Sequence, residues 1–442
     1  MELAATIFAL ATAPGRSGVA VFRVSGPAAK QCALSLCPGQ PMPGPRQAAL
    51  RRIADPKTGE AIDRALLLWF PGPNSFTGED VVEIHTHGGR AIARAMTDAL
   101  QGLGLRLAEP GEFTRRAFEH GRMDLTEAEA VADLVHAETE AQRRQAMRQM
   151  DGALGQLYEA WRARLMRALA HSEASIDFAD EDLPQGLAES QIYELTRLIE
   201  EIAAHLDDSN RGERLREGLS VAILGPPNAG KSSLLNALAQ RDAAIVSATA
   251  GTTRDVIEVH LDLAGWPVLL ADTAGLRESN DSIESEGIRR ALLRAERADL
   301  NVLVFDGATW PVLDGPTEDL SDGRALRVLN KADLLGPHVQ LPEDILAVSA
   351  RTGAGLPVLL ERLTRLFEIK FADRGTAPLT RARHRAALEE TLLCLKRALA
   401  AREAELRGED IRLAMRALGR ITGRVDVEDL LEVIFKDFCI GK

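Results

Sequence analysis

The sequence predicts a multidomain fold in which an α/β domain with a doubly wound sheet is inserted into a helical domain and preceded by a smaller α/β domain. Three observations predict it. A chain of 442 residues exceeds the roughly 250 that one core serves, so it should hold two to four domains. Strand, loop and helix alternate from Gly218 until about Ile369. Helical texture flanks that stretch on both sides, from about Thr126 to Arg216 and from about Arg381 to the end.

Composition narrows the class. Hydrophobic residues make up 45% and charged residues 27%, as in ordinary soluble proteins. Abundant Ala, Leu, Arg and Glu favour helix. Fifty-three basic against 65 acidic residues give a net charge of −12, which argues against a chain coated in nucleic acid but leaves room for a local basic patch. No apolar run reaches the length of a membrane span, and the amino terminus has no signal-peptide pattern. Cys32, Cys37, Cys394 and Cys439 have neither zinc-ligand spacing nor the density of a disulfide scaffold. A reduced cytoplasmic protein without membrane contact is expected.

In chain order, residues 1–118 mix β-branched runs (Gly18 to Val24, Leu66 to Phe70, Val81 to His85) with Gly/Pro turns and one helix from about Arg90 to Leu103. Residues 119–216 form the first helical half. There Thr126 and Glu129 make a capping box ahead of Ala130, Val131, Leu134 and Val135, and a break falls at 178–186. Residues 217–370 form the inserted α/β domain, and residues 371–442 return to helix.

The inserted domain carries the chemistry. Ser220 to Leu224 is a buried-strand run, followed by Gly225-Pro226-Pro227-Asn228-Ala229-Gly230-Lys231-Ser232-Ser233 and the helix face Leu234, Leu235, Leu238. This is GxxxxGK[ST] between strand and helix, a phosphate-binding P-loop in its required context. Its glycines let backbone N–H groups converge on a β-phosphate at a helix N-terminus. Lys231 is expected to reach the β- and γ-phosphates and Ser232 to ligate Mg²⁺. Downstream, Asp272-Thr273-Ala274-Gly275 ends another strand; its Asp suits a water-bridged Mg²⁺ and the Gly275 amide suits the γ-phosphate. Asn330-Lys331-Ala332-Asp333 follows a further strand, Ala325 to Leu329. A carboxylate there accepts both guanine N1–H and N2–H₂ hydrogens, which adenine does not offer, so GTP is the expected nucleotide. Ser349 and Ala350 suit the loop behind the base, and Thr253 is the expected Mg²⁺-sensing threonine.

Leu276 stands where Ras-like GTPases carry a water-orienting Gln, so intrinsic hydrolysis should be slow. Asn228 is placed to present an oxygen to a monovalent cation. Glu284 is placed to position water, against the bland alternative of a solvated charge.

Several stretches then resemble one family over essentially the whole chain. They are Gly225 to Asn236, Ala250-Gly-Thr-Thr-Arg-Asp255, Asp272 to Arg277, Phe70-Pro-Gly-Pro-Asn-Ser-Phe-Thr-Gly-Glu-Asp80, and the tail Phe438-Cys-Ile-Gly-Lys442. They are similar to the MnmE (TrmE) family of tRNA-modifying GTPases. The resemblance implies a homodimer whose GTPase domains are activated by K⁺-dependent pairing. It also implies a flavoprotein partner of the MnmG type that carries FAD, in a heterotetrameric complex acting on C5 of the wobble uridine of certain tRNAs. The amino-terminal domain is implied to bind 5-formyl- or 5,10-methylene-tetrahydrofolate and to dimerise. By position, Asn228, Ser247, Thr249 and Thr252 surround K⁺, within the nucleotide-contacting run Ser247-Ala248-Thr249-Ala250-Gly251-Thr252-Thr253. Ser232 and Thr253 bind Mg²⁺, Glu284 is the catalytic carboxylate, and Arg23, Glu83, Arg122 and Lys442 match folate contacts. Arg122 stands where the family commonly has Lys, exchanging a point charge for a planar fork.

Cys439 reads either as a tail cysteine or as a residue required for modification. His85 and His87 lack a third metal ligand and read as turn or pocket-lining residues. The cluster Arg381-Ala-Arg383-His-Arg385 reads as a solvated helix face or as a contact to tRNA phosphate. The competing function is a ribosome-assembly or signalling GTPase that binds rRNA without modification chemistry. It would leave the amino-terminal domain unexplained.

Overall fold

The computed structural model describes residues 5–177, 187–241, 258–272, 293, 295–321, 325–336, 338–371, 377–425, 428–436 and 438–441. The chain forms two compact units: Met1–Ala132 with Gln149–Thr196 and Glu390–Lys442, and Asp133–Arg148 with Arg197–Glu389.

The first unit holds a six-stranded sheet of β1 (Ile7–Leu10), β2 (Ser17–Ser25), β3 (Ala49–Ala54), β4 (Ala61–Phe70), β5 (Val81–Gly88) and β6 (Arg106–Leu107), in the order β3-β4-β5-β2-β1-β6. All neighbours are antiparallel except β1 and β6. Period-2 alternation decides the two faces. Phe22, Val24, Leu67, Val82 and Ile84 point into a core closed by α1 (Ala29–Leu36) and α2 (Arg90–Gly102), through Cys32, Leu36, Met96 and Leu100. The intervening residues of the central strands turn the other way, and there Ala9, Arg23 and Glu83 stand in register across three strands. The sequence reading found β2, the end of β4, β5 and α2. It missed β1, β3 and α1, which are short and carry no distinguishing turn chemistry.

Beyond the sheet follow α3 (Glu112–Glu119), α4 (Leu125–His136), α5 (Glu140–Met150) and α6 (Ala153–Asp177). The capping box lies two residues earlier than expected. Asp124 accepts the Glu127 N–H at 2.9 Å and Glu127 accepts the Asp124 N–H at 2.7 Å, so Asp124 is the cap and Thr126 already lies inside α4. Asp caps as well as Thr does, so a hydroxyl two residues on was a misleading signal. The expected break at 178–186 lies outside the described residues.

In the second unit, α7 (Leu187–Leu206, which begins in the first unit) and α8 (Arg211–Glu217) lead to a sheet ordered β12-β11-β10-β7-β9-β8. Its strands are β7 (Leu219–Leu224), β8 (Glu258–Leu263), β9 (Trp266–Asp272), β10 (Leu300–Asp306), β11 (Ala325–Asn330) and β12 (Ile345–Ala347). Only the β8–β9 hairpin is antiparallel. Helices α9 (Lys231–Arg241) and α10 (Leu356–Phe371) cover one face through Leu234, Leu238, Leu359, Leu363 and Phe367. Ala295 and Ala298 pack with Leu224, Leu303 and Phe305 on the other. Burial on both faces explains the apolar runs Val221–Leu224 of β7 and Val302–Phe305 of β10. The carboxy-terminal helices are α11 (Ala382–Ala400), α12 (Ala404–Thr422) and α13 (Glu428–Lys436). Within the first unit α6 packs on α12, where Gly408 meets Leu169 and Ser172. Among the described residues no helix is long and apolar enough to cross a membrane.

A buried polar chain fixes the first unit. Arg116, 3% exposed, donates to both oxygens of Glu79 at 3.0 and 3.2 Å, to Glu112 at 2.9 Å and to the Ala5 carbonyl at 2.9 Å. Glu112 also accepts from Arg106 and from the Glu109 N–H. Burial opposes the charge on Glu112, yet the Arg106 fork, the Glu109 N–H and Arg116 hold its carboxyl below the ordinary range. Glu112→Gln is therefore expected to lower the unfolding free energy of this unit by about 3 kcal/mol, because Arg116 keeps a buried charge with a partner removed. Because the folded-state pKa is depressed, this contribution is complete above the ordinary value of 4.5 and is lost as pH falls through the folded value. Urea denaturation of both proteins at neutral and acidic pH checks both parts; equal stabilities at neutral pH would contradict the account.

Candidate functional site

Strand register brings the motif residues to one edge of the second sheet. Asp272 pairs with Ile223 and Leu303 with Leu224, so β7 and β9 end nearly level, while β10 and β11 run on together past the same edge to the Asp306–Asn330 pair. The chain leaves β7 towards β9 on one side and later returns to β10 on the other. The loop after β7 therefore sits at the topological switch point, where ligands bind in open α/β sheets.

That loop is held by close backbone approach. Gly225 (φ 152°) lies against the Val304 carbonyl, where a Cβ would come within 2.2 Å. Asn228 (φ 63°) and Gly230 (φ 87°) both take left-handed conformations, which curl the loop. Ala229 is buried, while Asn228, Ser232 and Ser233 are exposed at the rim and on the first turn of α9. The Lys231 ammonium donates to the Gly225 and Pro226 carbonyls, each at 2.8 Å, which places it over the mouth of the loop.

The second loop meets the first through Asn330. This side chain, 1% exposed, donates to the Ala229 carbonyl at 2.8 Å and accepts the Ala350 N–H at 3.1 Å. A Cβ on Gly230 would lie 2.3 Å from its amide nitrogen. Asn330 is thus a brace between three loops. Asp333 accepts from Ser349 Oγ at 2.5 Å and from Arg351 at 2.5 Å; the Ser349 bond first, then Arg351, hold its carboxyl below the ordinary range. An ionised carboxylate with fixed orientation is what recognition of two adjacent N–H donors requires.

Sequence reading missed Asp306 and Arg351. Lys331, in a left-handed conformation, places its ammonium 2.6 Å from Asp306, whose other oxygen accepts the Ala308 N–H at 2.9 Å. Burial disfavours the Asp306 charge, but Lys331 and the Ala308 N–H outweigh it and lower its pKa. Gly307 is pressed against the Asn330 and Lys331 carbonyls, leaving no space for a side chain. An Asp closing an apolar strand run was the available signal. Ser247, Ala248, Thr249, Ala250, Gly251, Thr252, Thr253, Thr273, Ala274, Gly275, Leu276, Glu284 and Lys442 lie outside the described residues.

A second constellation lies on the open face of the first sheet. Arg23 donates to Glu83 at 2.9 and 3.1 Å, and its guanidinium lies 5.4 Å from the Phe76 ring centroid and 5.8 Å from that of Phe113. His85 adds a 3.3 Å contact to Glu83. The 70–80 loop delivers Phe76 because its own polar residues are anchored: Glu79 accepts from Ser25 at 2.7 Å and from Arg116, while Ser25 bonds Thr77 at 2.7 Å. The chain end arrives beside it. Ile440 bridges to Pro110, Gly441 (φ 97°) packs against Leu10 and Ala11, and its carbonyl accepts from Arg23 at 3.3 Å. Arg122 stands on the exposed turn after α3 beside Gly78. His87 bonds Asp63 instead, at 2.9 Å.

The arginine cluster is not a solvated face. Arg381 pairs with Asp133 at 2.7 Å, and Arg385 pairs with Asp208 at 2.6 Å and Glu213 at 3.5 Å, both arginines being less than one-fifth exposed. Their partners are distant in sequence, which is why the local charge run misled. Cys439 is exposed, while burial pushes the thiols of Cys32 and Cys37 up to about 12 and about 11.

A P-loop at the switch point of a parallel sheet, braced to an Asn-Lys-x-Asp loop, defines a P-loop protein of the guanine-nucleotide class. Two family models match the chain: the MnmE helical domain over residues 125–439 and the GTP-binding protein TrmE N-terminus over residues 6–122. Among the relatives, the "tRNA modification GTPase MnmE" of Paramagnetospirillum magneticum is 57% identical over 99% of both chains. That of Parvibaculum lavamentivorans is 58% identical over 99% of this chain and all of its own. The human mitochondrial "5-taurinomethyluridine-[tRNA] synthase subunit GTPB3" is 48% identical over 99% of this chain and 93% of its own. The chain belongs to the MnmE family of tRNA modification GTPases.

Asp306→Asn should weaken GTP affinity about tenfold by releasing Lys331, while turnover at saturating GTP is unchanged. Equilibrium titration and steady-state hydrolysis check this; a fall in kcat alone would contradict a positioning role.

Proposed function

We propose that the chain is a K⁺-stimulated GTPase, activated by pairing of two copies, that works with an MnmG-like FAD protein. Together they add an aminomethyl-type group such as carboxymethylaminomethyl to C5 of the wobble uridine, position 34, of certain tRNAs. The observation that carries the nucleotide half is the Asn330 brace, which joins a phosphate-binding loop to an ionised Asp333. Relatives named for tRNA modification over nearly the full chain support the other half.

In this reading residues 217–370 are the GTPase domain, 119–216 and 371–442 the two halves of the helical domain, and 1–118 a tetrahydrofolate-binding and dimerisation domain. The Asn228 to Ser233 amides cradle the phosphates and Lys231 neutralises charge on the β- and γ-oxygens. Ser232 and Thr253 hold Mg²⁺; Asp272, Thr273, Ala274 and Gly275 face the γ-phosphate. Asp333 reads guanine, with Asn330, Lys331, Ser349 and Ala350 shaping the slot. Asn228, Ser247, Thr249 and Thr252 would hold K⁺, whose positive charge would offset the negative charge that develops on the phosphate oxygens during transfer. Leu276 has no polar atom to orient water, so Glu284 takes that task. Arg23, Glu83, Arg122 and Lys442 bind the folate, whose one-carbon unit serves the modification; the anchored tail brings Cys439 to the same domain.

Potassium but not sodium is expected to accelerate hydrolysis, and Asn228→Ala should abolish the difference; equal rates in both salts would sink the cation mechanism. Glu284→Ala should keep nucleotide affinity and lose about 10²-fold or more in turnover. Loss of binding would mean a structural role instead. Deleting the gene should remove the C5-substituted wobble nucleoside from total tRNA, read by mass spectrometry of digests, and an unchanged profile would refute the modification reading.

A further inference from the structure

Two connections join the inserted sheet to the helices of its own unit: the incoming one runs through α8 into β7, the outgoing one from α10 into α11. Three ionic junctions tie them together. Asp133, on α4, accepts Arg216 of the incoming connection at 3.1 Å and Arg381 of the outgoing one at 2.7 Å. Asp299, buried at the head of β10, accepts Arg214 and the Ser220 N–H (3.0 Å) from the incoming side. Its carbonyl accepts Lys370, from the outgoing side, at 2.7 Å. Arg385 of α11 reaches back to Asp208, to Glu213 and to the Leu206 carbonyl at 2.8 Å.

The segment after Asp133 also touches the far end of the β8–β9 hairpin. The Ala141 N–H donates to Gly265, at the hairpin turn, at 3.0 Å, and Gln142 donates to the Arg216 carbonyl at 3.1 Å. The hairpin's two strands begin at Glu258 and end at Asp272, and in the sequence they adjoin the two motif stretches expected to contact Mg²⁺ and the γ-phosphate. Partly buried ion pairs that share a carboxylate resist bending more than isolated surface pairs, since each partner is already ordered by another.

We propose that Asp133 is the latch of a rigid collar that carries the nucleotide state of the sheet to residues 133–148. The inference rests on the reading of the second unit as a GTP switch. The collar transmits movement, and the nucleotide site hydrolyses GTP without it.

The test compares amide hydrogen exchange across residues 133–148 of the full chain bound to GDP and to a non-hydrolysable GTP analogue, after both have been titrated to show binding. Wild-type protein is expected to differ at least about fivefold in protection between the two nucleotides. Asp133→Asn should lose that difference while GTP hydrolysis stays within about twofold of wild type. Arg381→Gln, which removes the outgoing partner of Asp133, should give the same loss, and the double variant should be no worse than Asp133→Asn alone. A preserved difference in either variant, an additive double variant, or a parallel loss of hydrolysis would overturn the latch. So would a wild-type protein that binds both nucleotides with equal protection. Failure to bind either nucleotide refutes the GTP reading itself, and the latch with it.

Discussion

The Asn330 side chain sits in a space so narrow that no side chain is possible at Gly230, and the second unit is arranged around that approach. Asn330 reaches the Ala229 carbonyl only because β10 and β11 lie in order beside β7 and end at the same edge. It is buried, so its hydrogen bonds must be made inside the protein; leaving them unmade costs the desolvation of the amide. The phosphate loop and the base loop therefore cannot shift separately. That constraint holds Lys231 and Asp333 at a fixed separation, so the phosphate and base ends of the site move as one. Asp306 and Gly307 extend the same brace by seating Lys331.

The first unit solves a similar problem with charge. Arg116 and Glu112 are nearly inaccessible, and each finds its ionic partners inside the unit. The Phe70 to Asp80 loop is fastened to this network by Glu79, which is how an irregular segment holds Phe76 against Arg23. The chain terminus completes the face, because Gly441 alone fits against Leu10 and Ala11 with a positive φ. Two sites with different chemistry thus depend on one device, a buried polar group that joins segments far apart in the chain.

Much of this was legible in the residues. The P-loop, the Asp272 strand end and the Asn330 to Asp333 turn were readable because glycine, lysine and carboxylate spacing follows from phosphate and base geometry. Burial on both faces of β7 was readable from the apolar run Val221 to Leu224. What escaped was set by partners at long range. Arg381 and Arg385 look like a solvated basic run, yet their carboxylates lie 248 and 177 residues away. The cap at Asp124 was passed over for Thr126 because Thr126 is followed at the same spacing by a second carboxylate, Glu129. The 70–80 motif was recognisable, but its reason, the bond from Glu79 to Arg116, appears only when the chain is folded.

The central claim is that a guanine-reading site in this chain drives modification of tRNA. Its most direct measurement is the wobble nucleoside content of tRNA in a strain lacking the gene and supplied with either the wild-type chain or Asp333→Asn. The account predicts that the wild-type chain restores the C5-substituted uridine and that Asp333→Asn, folded and present at the same level, does not. Full restoration by Asp333→Asn would contradict it.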